Sequence, residues 1–290
     1  MTTSLPPTKL RKPIILLGTG RSGTSMLGEI FSHHPDVAYW IEPRPIWMHG
    51  HAYRSHHELN ANDLTPAIAR YIDKRFCRFV EDHNKSRFAE KTPSNCLRIP
   101  FIHALYPDCK IINMLRDGRA VVGSMFRMQS VNPDRSRIIA RIKETSLWEW
   151  PASLPLFFQT AWRTMVLKKR ATYWGVKPAQ YKQWLELSPH IIAAKQWCAS
   201  VEASIRDGRA LPSENYTEFR YENLMKDPEQ VVSQMIEFAE LDTCPAMIEY
   251  ASGQIDPSRA SKAEANLTDQ QMNEATEEMA PLLRDLDYEI

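Results

Sequence analysis

Pro13-Ile14-Ile15-Leu16-Leu17-Gly18-Thr19-Gly20-Arg21-Ser22-Gly23-Thr24-Ser25 is the stretch whose reading sets the fold of this 290-residue chain. Its first five residues are apolar, too few for a helix, and they end at a glycine. That pattern reads as a buried strand of a parallel sheet. A glycine-rich turn follows, and residues 24–31 carry helical spacing. Strand, glycine loop and helix start together make an anion cradle. First-turn N–H groups have no partner within the helix, and the helix dipole puts positive charge there. Arg21, Ser22, Thr24 and Ser25 add charge and hydroxyl donors to the backbone of Gly20 and Gly23.

The loop admits three ligands. A nucleoside triphosphate loop needs G-x-x-x-x-G-K-[ST]; Gly18, Gly23 and Ser25 have that spacing, but Thr24 stands where the lysine belongs. A dinucleotide loop needs G-x-G-x-x-G, which Gly18, Gly20 and Gly23 satisfy. A mononucleotide ending in a 5′-phosphosulfate needs only backbone donors and hydroxyls, without a metal. A purely structural turn is the remaining reading, and the loop alone does not choose among them.

Composition bounds the rest. A chain of 290 residues buries a substantial core, and residues 1–290 read as one domain carrying an insertion. The 43% hydrophobic and 24% charged content is that of an ordinary globular protein. A net charge of +1 argues against bulk binding to nucleic acid or to a membrane surface, so any positive field is local. Cys77, Cys96, Cys109, Cys198 and Cys244 are scattered, lack ligand spacing, and read as reduced thiols of a cytoplasmic protein without a zinc site. No apolar run reaches the roughly 18 residues of a transmembrane helix, and residues 1–12 read as a loose polar arm.

Outward from the loop, residues 36–41 read as a second strand, stopped by Pro43 and Pro45 just after Glu42. His49, His51, His56 and His57 follow in what reads as a mobile, substrate-side loop of surface histidines rather than a metal site, because no cysteine or acidic pair accompanies them. Residues 65–80 have helical spacing. Residues 87–89 read as a short strand leading to Glu90 and Lys91, and residues 94–105 as one helix. Residues 110–115 form a further strand, after which Asp117 caps a helix running to about residue 128. Residues 131–211, rich in tryptophan, read as a mostly helical insertion in which Ser188-Pro189 opens a helix. Residues 216–220 are a late strand, followed by helices beginning at residues 227 and 268.

Strands alternating with helices imply a parallel α/β sheet, whose ligands bind outside the carboxyl ends of its strands. By that rule the glycine loop, Glu42, Glu90 with Lys91, Arg116 and Tyr221 all emerge on one edge. Arg116 is a fork-shaped donor suited to a second phosphate, and Ser124, two helical turns on, completes it. Lys91 offers a point charge, and Glu42 a carboxylate able to take a proton from a hydroxyl.

These residues resemble a known family, the sulfotransferases that use 3′-phosphoadenosine 5′-phosphosulfate (PAPS), and most closely the tyrosylprotein sulfotransferases. The resemblance is carried by Gly20-Arg21-Ser22-Gly23-Thr24-Ser25, His34-Pro35-Asp36-Val37, Glu42 with Arg44, Lys91 before Pro93, and Leu115-Arg116-Asp117-Gly118-Arg119-Ala120. Ser124-Met125, Tyr221-Glu222-Asn223-Leu224 and Met279-Ala280-Pro281-Leu282-Leu283 extend it. It implies a P-loop-like fold, with residues 21–25 on the 5′-phosphosulfate, Arg116 and Ser124 on the 3′-phosphate, and Tyr221 on the nucleotide. It also implies Glu42 as general base and Lys91 with Arg21 as stabilisers of charge in transfer, leaving adenosine 3′,5′-bisphosphate as product and requiring no metal. Departures fall at Met128, where the family has an arginine, and near Asp256, where it has a lysine that Arg259 or Lys262 would replace.

The expected acceptor is a hydroxyl on a tyrosine or other phenol, a sugar or a lipid, and the oligomeric state is open, a homodimer included. Two other readings stand beside this one. A dinucleotide-dependent oxidoreductase would use Glu42 as the ribose acid, and a non-catalytic nucleotide-binding module would offer the tryptophan-rich section to a partner.

Overall fold

The computed structural model describes residues 5–130, 173, 175–254 and 267–290, with backbone only for 127–130. Its centre is a five-stranded sheet of order β2-β3-β1-β4-β5. The strands are β1 (Ile14–Leu17), β2 (Val37–Ile41), β3 (Arg87–Lys91), β4 (Lys110–Leu115) and β5 (Tyr216–Arg220). Every pairing is parallel, so all five carboxyl ends share one edge. β1 is central: Leu16 lies opposite Lys91 on one side, and Leu17 opposite Asn113 on the other.

Alternation along the strands builds two apolar layers. Ile15 and Leu17 face a core with Trp47, Phe76, Phe88 and Phe101; Ile14 and Leu16 face another with Leu27, Phe31, Val232 and Met235. All four β1 side chains are fully buried, which explains why this strand reads as an unbroken apolar run. The first layer is covered by α2 (Arg44–Trp47), α3 (Pro66–Asp82) and α4 (Ile99–Leu105). The second is covered by α1 (Thr24–Ser32), the Leu224 turn of α7 (Tyr221–Lys226), α8 (Pro228–Phe238) and α9 (Pro245–Gly253). A third cluster joins α5 (Gly118–Ser130), α6 (Pro189–Gly208) and α10 (Asp269–Asp285) through Val122, Trp197 and Met279.

Several expectations are corrected. Residues 94–105 are not one helix: a 3-10 turn, Pro93–Leu97, precedes α4, and Arg98 between them leaves helical geometry at φ −146°. Pro100 lies in the first turn of α4, where its missing N–H costs no hydrogen bond. Pro45 likewise opens the one-turn helix α2 instead of ending regular structure. β3 runs on to Lys91, so Glu90 is a strand residue and not a rim residue. The arm is pinned from residue 9 onward: Lys9 and Leu10 donate their backbone N–H groups to the Asp73 carboxylate at 2.9 and 3.2 Å, and Leu10 is buried.

The histidines are not loose surface groups. His51 is buried with its Nε2 3.0 Å from the Asp63 carbonyl, His49 stacks on Tyr71 at 3.5 Å, and His57 Nδ1 accepts the Lys177 N–H at 3.1 Å. Helix α6 appears where Ser188-Pro189 predicts it, and Asp117 caps α5 by accepting the Arg119 N–H at 2.9 Å. Trp148, Trp150, Trp162 and Trp174, Met128 as a side chain, and Asp256, Arg259 and Lys262 lie outside the described residues.

Candidate active site

The loop between β1 and α1 is shaped by two glycines. Gly18 has φ +146° and Gly23 φ +89°, conformations that side chains resist. A Cβ on Gly18 would meet Ser22 Oγ at 2.5 Å, and one on Gly23 the Tyr221 ring at 2.5 Å. Between them the Thr19 carbonyl accepts both the Ser22 N–H at 3.1 Å and the Ser22 hydroxyl at 2.7 Å, which closes the turn. Gly23 caps α1 without a side-chain acceptor, so the first-turn amides of Thr24 and Ser25 stay open toward the loop. Ser25 is exposed, whereas Thr24 is buried. Thr19 Oγ1 is buried without a protein partner, an atom the sequence reading passed over and the kind of donor that a bound anion would satisfy.

On the β4–β5 side of the loop, four expected residues meet. Arg21 Nε donates to Ser124 Oγ at 2.9 Å, and Arg116 Nη1 donates to the Arg21 carbonyl at 3.0 Å. The Arg116 guanidinium lies 4.1 Å over the Tyr221 ring, a cation–π contact. Tyr221 is thus held between Arg116 and Gly23, and the residues expected at the two ends of a nucleotide touch each other through Arg21 and Ser124.

On the β2–β3 side, the Glu42 N–H donates to the Lys91 carbonyl at 2.9 Å, continuing the ladder one residue past β2. Lys91 Nζ lies 2.8 Å from Glu42 Oε1, and Arg44 Nη2 lies 2.6 Å from Oε2. Lys91 is almost wholly buried and Glu42 about one third exposed, so the carboxylate is the accessible member of the pair. Both Arg21 (φ +75°) and Glu42 (φ +52°) are non-glycine residues in the left-handed region, at the points where the chain leaves β1 and β2. Such strain is characteristic of sites held in place by their surroundings.

Glu90 and Lys91 are consecutive in a strand and face opposite layers. Glu90 is fully buried on the α4 side, accepting hydrogen bonds from Thr92 Oγ1 and Asn95 Nδ2 at 2.6 Å each. Burial pushes its carboxyl up to about 7, against the pull of those donors and of the Arg98 charge. Arg98, also fully buried, is drawn down to about 9 by the same loss of water. Among the described residues no group of three or more His, Cys, Asp or Glu side chains is placed to hold a metal ion, and no helix is long and apolar enough to cross a membrane.

Comparison with known proteins agrees with this geometry. The model of the sulfotransferase family matches residues 13–171, more than half of the chain. A protein-tyrosine sulfotransferase of Drosophila melanogaster is 29% identical over 124 residues, covering 39% of this chain and 25% of that protein. Nodulation protein NoeE of Sinorhizobium fredii is 27% identical over 128 residues, covering 38% of this chain and 30% of that protein. The chain therefore spans under a third of the length of these two relatives. The solved sulfotransferase domain from the curacin biosynthetic pathway superposes with a TM-score of 0.55 at 15% identity over 98% of this chain and all of that one, a likeness of fold.

Glu90 gives the site a measurable pH signature. Below its ordinary value of 4.5 the carboxyl is protonated in both states; between 4.5 and about 7 the unfolded chain ionises it while the folded protein keeps it protonated, so stability falls as pH rises across that window and levels off above it. Denaturant titrations of wild type and Glu90→Gln between pH 5 and 8 should diverge, the variant gaining on the order of 2 kcal/mol relative to wild type across that span. Parallel curves would show that Glu90 is ionised throughout.

Proposed function

We propose that this chain, which belongs to the sulfotransferase family, moves a sulfuryl group from PAPS to an acceptor hydroxyl, with Glu42 as general base. The observation that carries the reading is the Glu42–Lys91 pair at 2.8 Å, at the strand ends beside a loop whose helix-start amides are open. The residues fit the nucleotide: open amides at Thr24 and Ser25, the unpartnered Thr19 hydroxyl and the Arg21 guanidinium suit a 5′ anion. Arg116, seated on Tyr221 beside Ser124, suits a second anion some distance away. When bound, the nucleotide supplies the activated sulfuryl group.

The chain supplies the rest. Glu42 takes the proton of the acceptor hydroxyl as its oxygen attacks sulfur and the bond from sulfur to the bridging phosphate oxygen breaks. Lys91 sits beside that carboxylate, and its ammonium with the loop donors balances the negative charge gathering on the departing phosphate. Arg44 holds the second oxygen of Glu42 and aims the first. The acceptor is a phenol such as tyrosine, a sugar or a lipid hydroxyl. The name of the Drosophila relative supports the first of these, over the quarter of its length that aligns. The five cysteines are all free, which supports a cytoplasmic setting. The oxidoreductase alternative is disfavoured because it gives no role to Lys91, to Ser124 or to Arg116 seated on the Tyr221 ring.

Glu42→Gln keeps the shape of the site and removes the base. Labelled-sulfate transfer from PAPS to a panel of hydroxyl acceptors should fall by about 10²-fold or more while nucleotide affinity stays within about threefold. A variant of undiminished turnover would remove Glu42 from the chemistry. Arg116→Ala should weaken adenosine 3′,5′-bisphosphate by about 10–100-fold in calorimetric titration and leave adenosine 5′-monophosphate nearly unchanged. Equal losses for both ligands would reject the 3′-phosphate assignment.

A further inference from the structure

The motif Tyr221-Glu222-Asn223-Leu224 contributes Tyr221 to the site, and the chemistry above leaves its acidic second residue unused. Glu222 lies in the first turn of α7, next to the ring that Arg116 covers. Its Oε1 accepts the backbone N–H of Asp117 at 3.0 Å. From a different segment, the Trp197 indole N–H donates to the Arg116 carbonyl at 3.2 Å. These two atoms belong to one peptide unit, the bond joining Arg116 to Asp117. Its donor and its acceptor are therefore both engaged, by side chains more than 20 residues apart in sequence, one from α7 and the other from α6.

A peptide held at both polar ends resists rotation, and because Leu115 on the other side of Arg116 is held in the sheet opposite Arg220, the Cα–Cβ direction of Arg116 is restricted from both sides. For Arg116 only the side-chain torsions remain, and the Tyr221 face with the Arg21 carbonyl narrows those. One further contact steadies Glu222, and its partner is itself held. Tyr288 Oη donates to its Oε2 at 3.4 Å, and the Tyr288 ring lies 4.9 Å from the Arg220 guanidinium. The end of the chain is thereby connected to the residue that Arg116 depends on. Packing adds the same constraint from below: a Cβ on Gly118 would meet the Met279 sulfur at 2.6 Å and the Trp197 ring at 3.0 Å, so the start of α5 sits hard against α6 and α10.

We infer that Glu222 is a positioning residue for the 3′-phosphate end of the nucleotide, fixing with Trp197 the peptide from which Arg116 projects. The inference rests on the assignment of Arg116 to that phosphate. Glu222 itself touches no ligand; it acts by removing alternative orientations of Arg116, so that the guanidinium is aimed before the nucleotide arrives.

Calorimetric titration of wild type, Glu222→Ala and Glu222→Gln with adenosine 3′,5′-bisphosphate and adenosine 5′-monophosphate tests this. Glu222→Ala should lose about tenfold in affinity for the bisphosphate and less than about twofold for the monophosphate. Glu222→Gln keeps an acceptor oxygen for the Asp117 N–H and should stay within about threefold of wild type for both. Should Glu222→Ala fail to fold, Glu222→Asp, whose carboxylate is withdrawn by one methylene, provides the same comparison. A Glu222→Ala protein that weakens both ligands equally, or neither, while wild type prefers the bisphosphate would overturn the positioning role alone. Loss in Glu222→Gln matching that in Glu222→Ala would overturn it as well. A wild type indifferent to the 3′-phosphate would overturn the Arg116 assignment and this inference with it.

Discussion

Parallel pairing of β1 on both of its sides is the constraint on which the rest of the molecule depends. Because β3 and β4 flank β1 in the same direction, the glycine loop must leave the sheet between Lys91 and the Leu115–Arg116 step. A one-residue slip of β3 would turn Phe88 and Glu90 toward α1 and Lys91 into the layer with Trp47 and Phe101. The register is secured by burial: Ile14 to Leu17 expose nothing, and each layer accepts alternate residues. The left-handed turns at Arg21 and Glu42 cost of order 1–3 kcal/mol apiece in isolation. They are tolerated here because the sheet dictates where the chain must exit, and because Glu42 is held through its N–H and both carboxylate oxygens.

Charge is arranged with the same economy of position. The whole chain is nearly neutral, at +1, yet Arg21, Arg44, Lys91 and Arg116 gather at the strand ends with Glu42 among them. Four cations against the one carboxylate of this set favour anionic ligands at the strand ends. Under this rim lie Glu90 and Arg98, both wholly removed from water: Glu90 ties β3 to Asn95 of the turn Pro93–Leu97, and Arg98, at the start of α4, donates to Ser94 of the same turn. The rim and its foundation come from neighbouring residues of one strand, which is why a two-residue motif carries both a rim cation and a buried acid.

Much of this was legible in the sequence, and the failures have physical reasons. The five strands and the loop are readable because buried parallel strands are short apolar runs ending in glycine or charge, and the edge rule then brings Glu42, Lys91, Arg116 and Tyr221 together. Pro45, Pro100 and Pro245 each stand in the first turn of a helix, yet the sequence reading stopped at Pro45, ran a helix through Pro100 and saw none at Pro245. The rule applied correctly at Pro189 and Pro228 finds all three. Glu90 was placed on the rim because hydrophilicity suggested an end of the strand; only its partners Thr92 and Asn95 reveal that it is buried. The clamp on the Arg116 peptide could not be read at all, since Trp197 and Glu222 lie 81 and 105 residues from the atoms they hold.

A crystal structure with adenosine 3′,5′-bisphosphate tests the central claim most directly. The account predicts the 5′-phosphate against the amides of Gly23, Thr24 and Ser25, and the 3′-phosphate against Arg116 and Ser124, with Glu42 and Lys91 lining the space beyond the 5′ end. A nucleotide bound elsewhere on the molecule, or one whose 3′-phosphate points to solvent away from Arg116, would contradict it.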